Sequence, residues 1–154
     1  MTVRELALEK PTPTYEVAEL FPFQGQWADE DYLALDTNRL VELSDGNLEV
    51  LAMPSELHQA VLARLFLAVA NFVIQHSLGE VRFPALRVRL WPGRFREPDL
   101  VFMAATHKDR IFKKFWGVPD LVVELISDDD PDRDRVRKKS EYALAGISEY
   151  WIVD

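Results

Sequence analysis

Leu121-Val122-Val123-Glu124-Leu125-Ile126 is the stretch that decides the fold. Aliphatic residues on both sides of one carboxylate read as a buried central strand. An ionised carboxylate is costly to bury unless it is paired or binds a metal. Two other places in the chain offer partners for Glu124. Asp99 ends an Arg96-Glu97-Pro98-Asp99 step that leads into Leu100-Val101-Phe102, and Lys138 lies in a basic stretch after the Glu124 strand.

Working outward, the spacing predicts a mixed α/β domain with one central sheet. Residues 1 to about 26 carry Pro11, Pro13, Pro22 and Gly25 with little periodicity and read as an arm or lead-in, leaving 27–154 as a single domain. Trp27 to Leu35 fits a short helix. Leu40 to Ser44 and Asn47 to Leu51, joined by Asp45-Gly46, read as a β-hairpin. Ser55 is the expected N-cap of a long helix running to about Ser77 and closed by Gly79. Glu80 to Leu90 reads as one strand bent at Pro84, and Leu100 to Met103 as the next. Thr106 to Phe115 is expected to be irregular or helical. Asp130-Pro131 should start a helix that Gly146 ends, and Glu149 to Asp154 should form a last strand, reached by a parallel crossover from Leu121–Ile126.

Composition narrows the function classes. The chain has 154 residues, no cysteine and a formal net charge of -8. Disulfide scaffolds and thiolate metal sites are excluded, and a reducing cytoplasm is the expected location. No apolar run approaches the roughly 18 residues of a membrane span, and the N-terminus lacks the pattern of a signal peptide. The acidic balance argues against broad non-specific nucleic-acid binding. Positive charge is nevertheless uneven: Arg82, Arg87, Arg89, Arg94 and Arg96 crowd one segment, and Arg133, Arg135, Arg137, Lys138 and Lys139 another.

Asp99 and Glu124 on neighbouring strands could hold a hard cation through oxygen, with positions left for water and phosphate. Each also has a plainer reading: Asp99 as a turn residue after Pro98, Glu124 as half of a buried ion pair. Glu42, inside Leu40-Val41-Glu42-Leu43, is either a third inward carboxylate or an outward strand residue, and period-two alternation does not choose between them. Lys138 lies one turn after Asp134 and one before Tyr142, so the three share a helix face; Lys139 points about 100° away. His58, in the first turn of the long helix, could serve as a metal ligand, proton carrier or phosphate contact, or be an ordinary polar residue at a helix start. There is no glycine-rich phosphate loop and no nucleophile elbow.

Taken in chain order, these pieces resemble the Uma-two family of restriction-endonuclease-like proteins, within the PD-(D/E)XK nuclease superfamily. The matching segments are Arg39-Leu40-Val41-Glu42-Leu43 with Asp45-Gly46, Met53-Pro54-Ser55 with His58, Glu97-Pro98-Asp99-Leu100, Pro119 to Ser127, Asp134 with Lys138 and Tyr142, and Gly146 to Asp154. The resemblance implies a restriction-endonuclease-like mixed sheet flanked by helices. It implies that Asp99 and Glu124 bind Mg²⁺ (Mn²⁺ as a substitute), with Glu42 as an auxiliary acid and Lys138 as the catalytic lysine. Superfamily members usually place that lysine two residues after the second acid, where this chain has Ile126. The family commonly continues past the Tyr150-Trp151-Ile152-Val153-Asp154 strand, so a C-terminally shortened domain is expected. The expected partner is DNA and the expected assembly a homodimer, since an apolar strand at a sheet edge invites pairing. The competing expectation is a catalytically inert domain of the same fold that binds a partner.

Overall fold

The structure, a computed structural model, describes residue 18, residues 20–126 and residues 132–154. The expected helix start at Asp130-Pro131 and most of the expected N-terminal lead-in lie outside the described residues.

Helix α1 (Asp29–Ala34) precedes the hairpin of β1 (Val41–Ser44) and β2 (Asn47–Val50). The Asp45-Gly46 turn places both central residues at positive φ, 48° and 80°, the primed geometry that suits the twist of a hairpin. Gln24 exchanges two hydrogen bonds with the backbone of Leu48, so the chain before α1 is tied to β2. Helix α2 (Glu56–Gln75) begins where Ser55 Oγ accepts from the His58 N–H at 3.1 Å. It ends differently from the expectation. Ser77 takes the left-handed position, φ 53°, and Leu78 N–H donates back to Val73 O. Gly79 opens β3 instead of capping the helix.

The remaining elements are β3 (Gly79–Arg82), β4 (Val88–Trp91), β5 (Arg94–Arg96), β6 (Leu100–Ala104), a 3₁₀ segment (Ala105–Arg110), β7 (Leu121–Leu125), a π-helical segment (Arg133–Lys138) running into α3 (Lys139–Ala145), and β8 (Glu149–Val153). Gly146, φ 83°, caps α3 as expected. The mixed α/β architecture holds, but the single central sheet does not: the described strands form two four-stranded sheets, ordered β2-β1-β5-β4 and β3-β6-β7-β8. The reason lies in the segment expected to be one bent strand. Pro84 has no N–H to give a ladder, so β3 ends at Arg82 against Val101 of β6, while β4 pairs with β5 in the other sheet. The chain also crosses between the sheets along α2, from β2 to β3, and at Glu97-Pro98-Asp99, from β5 to β6. β7 and β8 are parallel, from Leu121↔Glu149 to Leu125↔Val153, which bears out the crossover.

Three apolar clusters hold the layers. Val61, Leu62, Leu65, Phe66 and Val69 of α2 pack with Val73 on Leu100, Leu121, Val123 and Leu125. Val88, Leu90, Val101, Met103, Val122 and Trp116 surround Tyr142 of α3. Trp27 and Tyr32 pack on Val41, Leu43 and Phe95. By length and composition α2 alone, among the described residues, is long and apolar enough to cross a membrane, with a mean hydropathy of 1.7. The helix reaches this value although His58, Gln59, Arg64 and Asn71 break its apolar residues into shorter runs, which is why the sequence pattern predicts no span there.

Gly79 is a position where the fold has no room for a side chain. Its φ is 154°, and a Cβ there would lie 2.0 Å from Met103 O of the neighbouring strand. Gly79→Ala should lower stability by more than the roughly 1–3 kcal/mol of backbone strain alone. Urea unfolding of the two proteins measures it, and an unchanged midpoint would contradict the packing of β3 on β6.

Candidate active site

The last paired residues of β6 and β7 are Leu100↔Val123. Asp99 is the residue just before Leu100 and Glu124 the one just after Val123, so the two acids lie at the same end of this antiparallel pair. Asp99 Oδ2 accepts from the N–H of Leu125 at 2.8 Å, and its Oδ1 lies 2.9 Å from His58 Nε2. Asp99 therefore sits against the strand that carries Glu124.

Glu124 is buried, with 3% of its side chain exposed. Its Oε1 accepts from Lys138 Nζ at 2.9 Å and from the Tyr142 hydroxyl at 2.6 Å. Lys138 comes from the π-helical segment and Tyr142 from α3, one turn apart, as the shared helix face predicts. Lys138 Nζ also lies 3.1 Å from Asp134 Oδ1 and 3.9 Å from Glu42 Oε1. The Asp134 contact is an ion pair without hydrogen-bond alignment, since Asp134 Oδ1 has no aligned donor. Asp134 was a sequence neighbour of Lys138 but not a site candidate; its i, i+4 spacing was the available signal.

Glu42 resolves inward and is fully buried. Its Oε1 accepts from the N–H of Glu97 at 3.1 Å, and its Oε2 lies 3.4 Å from Arg96 Nη1. Glu97 reciprocates, accepting from the N–H of Val41 at 2.9 Å. These bonds fasten the Glu-Pro-Asp step to β1 just ahead of Asp99. Thus Asp99, Glu124, Lys138, Glu42 and His58 come together from five segments. Lys139 is exposed.

Burial raises the Glu124 pKa to about 7; Lys138 opposes the rise, Asp99 and Asp134 add to it, and the Tyr142 hydrogen bond works against it. Burial alone would lower Lys138, but Glu124, Glu42 and Asp134 outweigh it and hold the ammonium above the ordinary lysine range. Burial likewise raises Glu97 to about 7, against the Val41 hydrogen bond and Arg87.

The donor chemistry fits a hard divalent cation. Asp99 and Glu124 offer only oxygen, and Mg²⁺ is often held by one or two carboxylates with its other positions on water and phosphate. The buried Asp134 oxygen without an aligned donor adds to a surplus of negative charge there. Among the described residues no three histidine or acidic side chains form a ready ligand cage.

Residues 29–154 match the family model described as "Uma2: Putative restriction endonuclease". The chain belongs to the Uma2 family. No curated protein matches it. Among solved structures it is similar to the crystal structure described as "a putative nuclease belonging to DUF820", from Anabaena variabilis ATCC 29413. That match has a TM-score of 0.65 at 17% identity and covers 83% of this chain and 74% of the other. At that identity the likeness speaks for the fold, and it supports the mixed α/β architecture around this Uma2 site.

A pH dependence follows from the two raised carboxyls. Each binds its proton more tightly folded than unfolded, where the value is 4.5. Their contribution to stability is therefore complete below about pH 4.5 and is lost as pH rises through about 7. Glu97→Gln should flatten this decline by on the order of 3 kcal/mol. Urea unfolding at a series of pH values checks it; an unchanged slope would show that Glu97 titrates normally.

Proposed function

We propose that this chain is a Mg²⁺-dependent endonuclease that hydrolyses DNA phosphodiester bonds, with Mn²⁺ able to replace Mg²⁺. The observation that carries the reading is the convergence of Asp99, just before β6, with Glu124 of β7 and Lys138 of the π-helical segment before α3. In this reading Asp99 and Glu124 hold the cation. Bound there, a divalent cation lowers the pKa of an attacking water and offsets phosphate charge. Lys138 stays protonated among its carboxylates and presents a fixed positive charge to the developing phosphorane, while orienting the water. Tyr142 fixes the Glu124 oxygen that Lys138 shares. Glu42 supports the site by holding the Glu97 backbone and adding to the field on Lys138.

The exposed Arg135, Arg137 and Lys139 flank Lys138 on the same helical stretch and suit contacts to a nucleic-acid backbone. A homodimer belongs to the same reading, since Trp151 and Ile152 of β8 are partly exposed apolar residues on one strand. Light scattering at high concentration that gives only monomer contradicts the dimer. A second reading, an inert domain of this fold acting as a binding module, is favoured by one observation. Glu124 Oε1 is already satisfied by Lys138 and Tyr142, so the site needs no cation to be stable.

Cleavage of supercoiled, linear and single-stranded DNA with Mg²⁺ or Mn²⁺, set against EDTA, separates the two readings. Lys138→Met should lose about 10²–10³ in rate while calorimetry still registers Mn²⁺, and Lys139→Met should cleave like wild type. A dead Lys139→Met beside an active Lys138→Met contradicts the assignment. Metal binding without cleavage of any DNA form supports the inert module.

A further inference from the structure

Asp99 is gripped at both oxygens, from two different layers of the fold. Oδ2 accepts from the backbone of β7 at Leu125, and Oδ1 meets His58 Nε2 of α2 at 2.9 Å. A carboxylate only accepts, so in this contact Nε2 carries the hydrogen and donates. Both side chains are about as shielded as each other, with 15% of His58 and 14% of Asp99 exposed. His58 is itself held in place. Its N–H is capped by Ser55 Oγ, and further along α2 the residues Val61, Leu62, Leu65 and Val69 pack on the sheet that carries β6 and β7. Glu124 is fixed independently by Lys138 and Tyr142. Without His58, the Leu125 hydrogen bond is the one that would still hold Asp99 among the described residues, and Oδ1 would lose its anchor.

We propose that His58 is a positioning residue for cation binding: its Nε2–H holds Asp99 Oδ1 so that the carboxylate is already set beside Glu124 when a divalent cation arrives. The inference rests on the reading of Asp99 and Glu124 as the cation's holders and adds the reason their geometry is preset. Groups that hydrogen-bond ligating side chains in this way typically contribute about 10–100-fold in metal affinity. A neutral imidazole suffices, because the role is donation of one hydrogen bond. The group required is an N–H at the reach of Nε2, and glutamine can supply it.

The test is Mn²⁺ calorimetry on wild type, Asp99→Asn, His58→Ala and His58→Gln, with circular dichroism confirming that each is folded. His58→Ala should weaken Mn²⁺ binding by about 10–100-fold, His58→Gln should recover most of the loss, and Asp99→Asn should lose binding most severely. A His58→Ala protein that binds Mn²⁺ as wild type does overturns the inference and leaves the cation site standing. So does a His58→Gln protein as weak as His58→Ala, which would make the imidazole itself a ligand. Equal binding by wild type and Asp99→Asn would remove the cation site and this inference with it.

Discussion

A carboxylate inside a β-strand core is the constraint on which this structure turns. Glu124 has apolar neighbours along its own strand and almost no access to water. Leaving it there unpaired would cost several kcal/mol, so the fold brings Lys138 and Tyr142 to one of its oxygens. That requirement sets where the helical segment after β7 must lie. It also draws Asp134 and Glu42 in around the lysine, and it leaves a buried cluster with more acids than the ammonium satisfies. The same arrangement that relieves Glu124 leaves its pKa near 7.

The second constraint is the passage of the chain between sheets. Pro98 cannot donate to a ladder, and side chains take over around it: Glu42 accepts from the Glu97 N–H before it, and Asp99 after it accepts from the Leu125 N–H of β7. Acids at this junction serve first as backbone acceptors where strand pairing stops. The Asp99 bond to Leu125 sets its carboxylate beside the strand that carries Glu124, where the chain passes from one sheet to the other. Sheet junctions provide unpaired backbone and converging side chains together, which makes them natural places for chemistry.

Much of this was legible in the residues. The lone acid in Leu121–Ile126 announced both a central strand and a need for partners. The i, i+4 spacing of Asp134, Lys138 and Tyr142 put the lysine on the right helix face, and Ser55 marked the start of α2. What was not legible had physical causes. One strand expected from Glu80 to Leu90 is two, because Pro84 interrupts the ladder and each half finds a different partner. Arg94–Arg96 is too short and too charged to show as a strand, yet Phe95 and Arg96 are buried because Glu42 and Glu141 receive the guanidinium. The inward turn of Glu42 depends on Glu97 and Arg96 from a distant segment, a long-range choice that local alternation does not encode. The contact between His58 and Asp99 spans 41 residues and is equally invisible to spacing.

The central claim is that Glu124 is a buried, partly compensated carboxylate poised to receive a cation beside Asp99. The most direct measurement is a carbon-13 NMR titration of the Glu124 side-chain carboxyl, with and without Mg²⁺. Without the cation the midpoint should fall near pH 7, and with it lower, because a bound cation favours the charged form. A Glu124 that titrates in the ordinary carboxylate range and ignores Mg²⁺ would contradict the central claim.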